Sequence, residues 1–146
     1  MANGADEKRS GRLDIRAIFL GVAVDWSAGI IFSIVMFVVL KVWFGLHGVE
    51  AGEFLDAAET VSRSRWYLGL FLPFGFMFTA AGGYVATRFA DDPGLLNAAF
   101  VGVVGIVIGF AFMRGQPSWY NYVGVAGAVP AAVLGGYVHA RRWNFG

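Results

Sequence analysis

The chain has 146 residues, of which 58% are hydrophobic and only 14% charged, with a mean hydropathy of +0.63 and a net charge of +1. A soluble domain carries about 25% charged residues, so a water-soluble globule is excluded, and a near-neutral chain offers no clustered basic face for nucleic acid. Cysteine is absent, which removes disulfides, thiolate nucleophiles and cysteine-ligated metals.

Residues 1–16 are hydrophilic and hold Lys8, Arg9, Arg12 and Arg16. The apolar run that follows, Ala17–Leu40, is longer than the 7–15 residues of a signal-peptide core, and no small-x-small cleavage site precedes Lys41. It is expected to remain as a first membrane helix. Within it Ala17, Gly21, Asp25, Gly29 and Ser33 recur every fourth residue, so Asp25 falls on a small-residue face. Nine residues separate it from Arg16, about 13 Å of helix.

A long connection follows. Glu50–Val61 has helix formers, an apolar set at Phe54, Leu55, Ala58 and Val61, and acids at Glu50, Glu53, Asp56 and Glu59. This pattern predicts a short amphipathic helix on the membrane surface. A cation-collecting or partner-docking role for its acidic face is the alternative.

The second apolar run, Tyr67–Thr87, places Gly75, Thr79, Gly83 and Thr87 on one face. Thr79 lies nine residues before Arg88, which predicts the same depth as Asp25. The turn Asp91-Asp92-Pro93-Gly94 leads to the third run, Leu95–Met113, with Asn97 at its start and Gly102, Gly105 and Gly109 nearly on one face. The turn Gly115-Gln116-Pro117-Ser118 leads to the fourth, Trp119–Ala140, and a tail of residues 141–146. Asp25 is the sole Asp, Glu, Lys or Arg in the four runs.

Apolar runs of about 20 residues match the hydrocarbon core of a bilayer. The fold expected is an all-α membrane protein with four transmembrane helices and a hydrophilic tail at each end. Basic residues number seven on the side of the termini (Lys8, Arg9, Arg12, Arg16, Arg88, Arg141, Arg142) and four on the other (Lys41, Arg63, Arg65, Arg114). That excess predicts cytoplasmic termini. Trp43, Phe44, Trp66, Tyr67, Trp119, Tyr120 and Tyr122 then mark the outer interface.

Gly82-Gly83-Tyr84-Val85 recurs as Gly135-Gly136-Tyr137-Val138, with Arg88 and Arg141 at the same offset. The chain is therefore expected to be two helical hairpins related as parallel repeats. Small residues at four-residue spacing allow close helix approach in lipid, which predicts a compact, glycine-rich bundle packed through Gly21, Gly29, Gly75, Gly83, Gly102, Gly105, Gly109 and Gly136. Phe76 is expected to lie off that stripe. The doubled Gly-Gly-Tyr-Val signature resembles that of many bacterial membrane proteins, which implies an inner-membrane setting.

No catalytic set is legible. His47 and His139 lie at opposite ends of the chain's spans, so neither a metal site nor a Ser-His-acid set can be assembled, and no cofactor is expected. An ionisable group inside a span is a functional candidate by default. The polar site expected is Asp25 with Thr79, Ser33 and Asn97, serving either as interhelical polar contact or in ion or proton handling; Asn97, at the start of the third run, is expected to cap or pack there rather than bind substrate. The leading expectation is a non-enzymatic membrane protein that acts through helix packing, as an oligomerising or accessory subunit. Its partners would be the bilayer and copies of itself or other membrane subunits. The alternative is a small proton- or ion-coupled transporter or channel with Asp25 in the pathway. A dry, glycine-lined interface would favour the first, and an accessible polar cavity the second.

Overall fold

The computed structural model of the chain describes residues 12–91, 94–112 and 115–143. The first eleven residues of the expected tail, the middle of the 91–94 turn, Arg114 and the last three residues lie outside the described residues. Five helices form in order: α1 (Ile15–Leu46), α2 (Phe54–Ser62), α3 (Arg65–Phe89), α4 (Leu95–Phe112) and α5 (Ser118–Trp143). Among the described residues there is no strand.

Three helices, α1, α3 and α5, are long and apolar enough to cross a membrane, and α4 is a shorter apolar helix. The chain is consistent with an integral membrane protein on that ground. Its many exposed Ile, Leu, Val and Phe side chains, such as Ile30, Ile31 and Val107, accord with that.

Local chemistry sets the boundaries. Asp14 caps α1: its carboxylate accepts from the Arg16 and Ala17 amides at 3.0 and 3.2 Å, satisfying two of the donors a helix start leaves unpaired. The helix runs six residues past the expected end at Leu40, through Lys41 and Trp43 to Leu46. No breaker intervenes before Gly48, whose φ of 79° is a conformation that favours glycine. Helices α3 and α5 continue through Pro73 and Pro130.

The amphipathic helix α2 begins at Phe54, later than the expected Glu50, because Ala51–Glu53 form a turn. It contacts both α1 and α3 and has one buried side chain. Phe54 is buried, with its ring 5.2 Å from that of Phe37 and 6.1 Å from that of Phe44, while Leu55, from the same apolar set, is exposed. Glu59 and Arg63 pair at 2.7 Å on the exposed face.

Helices α1, α3, α5 and α4 pack in a ring in that order, with α3 and α4 also touching across it. Among the described residues α1 and α5 do not meet. Val101 and Gly105 on α4 lie beside Gly21 and Asp25 on α1, so these two helices run in the same direction. Phe76 and Thr87 on α3 meet Gly127 and Gly136 on α5, so this pair does too.

Candidate functional site

Residue size sets the spacing between helices, and it changes midway along them. Near the start of α1 the backbones touch. A Cβ on Gly21 would sit 2.6 Å from the Gly82 carbonyl oxygen, and one on Gly82 would sit 2.6 Å from that of Gly21. Gly83 abuts the backbone of Ala132, and Gly135 that of Ala80. A Cβ on Gly102 would sit 2.7 Å from the Val129 Cα, and one on Gly136 would sit 2.6 Å from Thr87 Oγ1 and 2.7 Å from Ala98 Cβ. These contacts form a closed seam joining α1 to α3, and α5 to both α3 and α4. Only glycine permits approaches this close, and small residues are what bring helices together in lipid.

Past Asp25 the stripes continue in sequence but meet nothing. A Cβ on Gly29 or Gly75 would have no neighbour within 4 Å. Here phenylalanines hold the helices apart: the Phe32 ring of α1 lies 4.6, 5.0 and 5.5 Å from those of Phe74, Phe71 and Phe78 on α3. The result is a cleft of about 540 Å³, walled by α1, α3, α4 and α5, that runs from Asp25 and Thr79 to Ser33, Phe71 and Tyr120. Asp25 stands at its floor, where seam gives way to cleft.

The floor has few polar groups. Thr79 donates to the Asp25 carboxylate, with its Oγ1 3.3 Å from both oxygens. Good O–H···O bonds are 2.5–3.0 Å long, so one proton shared over two long contacts holds the carboxylate weakly. On the remaining side, Asp25 Oδ2 is 3.7 Å from where a Gly105 Cβ would stand. No Lys, Arg or His is among the described residues that line the cleft. An acid at the centre of a span costs about 2.5–3.5 kcal/mol to insert, more than one weak neutral hydrogen bond returns.

Of the expected polar set, Asp25, Thr79 and Ser33 come together in this cleft. The matching nine-residue offsets from Arg16 and Arg88 had placed Asp25 and Thr79 at one depth, and they are in contact. Asn97 is elsewhere. It is buried in the seam end, where its Oδ1 accepts from the Asp14 amide at 2.8 Å and its Nδ2 donates to the Arg12 carbonyl at 3.4 Å. It ties the start of α1 to the start of α4.

The expected packing glycines divide in the same way. Gly21, Gly83, Gly102 and Gly136 lie in the seam, whereas Gly29, Gly75, Gly105 and Gly109 line the cleft. Phe76, expected off the stripe of Gly75, Thr79, Gly83 and Thr87, packs its ring on Gly127 of α5 and lines the cleft. The aromatic walls were overlooked in the sequence, although Phe71, Phe74 and Phe78 fall at i, i+3 and i+7 and so share a face.

Among the described residues no group of three or more His, Asp or Glu side chains is placed to hold a metal ion. What the cleft offers chemically is one carboxylate within an apolar, aromatic enclosure. Comparison with family models, curated proteins and solved structures finds no match to this chain.

Proposed function

We propose that the chain is a four-span protein of a bacterial inner membrane, with cytoplasmic termini and two parallel hairpin repeats forming a bundle, and that it acts as a small proton- or cation-coupled transporter. Asp25 is the group that gives up its proton when a cation takes its place. One observation carries this reading: the single membrane-embedded acid stands at the floor of an open cleft that a closed seam seals on the other side. A carboxylate that alternates between proton and cation needs access from one side at a time and freedom from a fixed counter-ion. The open cleft, the seam and the weak Thr79 contact provide the setting for both.

The test uses vesicles reconstituted with the protein and loaded with a pH-sensitive dye. Under an imposed pH gradient, external sodium, potassium or methylammonium should drive proton movement in the wild type. Asp25→Asn keeps the shape and polarity of the side chain but cannot ionise, so it should reconstitute normally and carry no such flux. Flux that survives in the Asn variant overturns the reading.

The second reading, an accessory or oligomerising subunit, draws support from α1. The most apolar stretch of that helix has no buried residue within the chain, so a wide face is left for lipid or another subunit. The seam glycines do not serve that reading, because their contacts are made within the chain. Native mass analysis in a mild detergent separates the two: a monomer disfavours the subunit role, and a fixed stoichiometric complex supports it.

A further inference from the structure

The hydroxyls of Thr79, at the cleft floor, and of Ser33, two turns farther along α1, have each committed their proton. Thr79 donates to Asp25. Ser33 Oγ donates to the Gly29 carbonyl at 2.8 Å. A hydroxyl that donates its one hydrogen still has lone pairs to accept with, so Thr79 and the Asp25 carboxylate present acceptors at the floor, and Ser33 presents another farther along the cleft. Beyond them the wall is hydrocarbon and ring face, with Phe71, Phe76 and Phe78 on α3 and Tyr120 on α5 at the far end.

We propose that this cleft binds the protonated head of a hydrophobic amine, with its N–H groups on Asp25 and Thr79 and its apolar body along the aromatic walls. The proposal rests on the transport reading and names its substrate class. The alternatives fit poorly. A hard divalent cation takes six or more oxygens, and the floor offers the two of Asp25 with the one hydroxyl of Thr79. An anion would meet the carboxylate with no compensating positive charge among the described lining residues. A neutral acyl chain would fill the walls and leave the acid unmatched. A quaternary ammonium would keep the charge attraction and ring contacts but lose the N–H bonds. A volume of about 540 Å³ is within the roughly 300–1,000 Å³ of small-molecule sites.

The test is calorimetric titration of the full chain in lipid nanodiscs with three probes of one shape: 4-phenylbutylamine, its N,N,N-trimethyl counterpart and 4-phenylbutanol. At neutral pH the wild type should bind the amine at least tenfold more tightly than the alcohol, with the trimethyl form between them. Asp25→Asn should lose at least tenfold for the amine and leave the alcohol unchanged. Thr79→Val should weaken the amine severalfold and the trimethyl form little. If the alcohol matches the amine in the wild type, the cleft is an apolar or lipid-tail site and the proposal fails. If the trimethyl form binds as tightly as the amine, the N–H recognition fails. The wild-type comparisons decide these points even if Asp25→Asn does not fold. Amine binding with no proton movement in vesicles would overturn the transport reading and leave the site standing. Proton movement driven by another cation, with no amine binding, would overturn the substrate class and leave the transport reading standing.

Discussion

Gly83→Ala and Gly75→Ala are the same chemical change on the same helix face, two turns apart, one in the seam and one in the cleft. Alanine is favoured over glycine within a helix by about 0.8–1 kcal/mol, and this gain applies to both. The surroundings differ. A Cβ at position 83 would run into the Ala132 carbonyl oxygen, with the carbonyl carbon at 2.7 Å and the Cα at 2.9 Å. These are backbone atoms on α5 and cannot rotate aside, so α3 and α5 must separate. At position 75 a Cβ has nothing within 4 Å. Overpacking of a close contact costs about 1–3 kcal/mol, so Gly83→Ala should be less stable than Gly75→Ala by about that amount. Gly75→Ala itself should be neutral or stabilised by up to about 1 kcal/mol. Thermal melts of the purified variants in one detergent, followed by helical circular dichroism, give the order. Equal melting temperatures, or a lower one for Gly75→Ala, would refute the division of the stripe into seam and cleft.

Asn97→Ala removes the partner of the Asp14 amide and should destabilise the protein by about 1–3 kcal/mol, read by the same melts, with faster exchange of the first amides of α1. Asp14→Ala should cost about 1 kcal/mol through loss of the helix cap, and Asp14→Ser should restore most of it. Phe54→Ala should release α2 and raise amide exchange and proteolysis across Phe54–Ser62, whereas Leu55→Ala, at an exposed position, should leave both unchanged. Cysteine is absent from the native chain, so orientation is open to labelling: an impermeant thiol reagent applied to intact cells should modify Glu50→Cys and spare Ser10→Cys. Glu50 suits the outer probe because it is exposed, while the neighbouring Gly48 has a backbone that a cysteine would strain.

The long helices were legible because a bilayer demands uninterrupted apolar runs, and Ala17–Leu40, Tyr67–Thr87 and Trp119–Ala140 have them. The Asp25–Thr79 contact was legible for a geometric reason: equal residue counts from basic residues at one interface give equal depth on antiparallel helices. The cleft was not. A stripe of small residues marks a face where helices can approach, but flanking side chains decide whether they do. Gly21 and Gly29 belong to one stripe, yet the first touches Gly82 and the second touches nothing, because Phe32, Phe71, Phe74 and Phe78 prop α1 and α3 apart beyond Asp25. The packing role of Asn97 at the start of the third run was legible, but its partner across the bundle was not. Its bond to Asp14 spans 83 positions of sequence, and nothing local points to that partner. The cleft is what favours the proposed transport reading, and the seam glycines make their contacts inside the chain.

In the proposed transport reading, water reaches Asp25 along the cleft from one side and is stopped by the seam. The most direct measurement is the reactivity of single cysteines toward a small charged thiol reagent in intact cells. Ser33→Cys and Gly75→Cys line the cleft, whereas Ala86 is fully buried in the seam half. The two cleft cysteines should react with reagent added outside, hydrophobic amines should slow that reaction, and Ala86→Cys should react only after denaturation. Unreactive cysteines at 33 and 75, or a reactive one at 86, would contradict that reading.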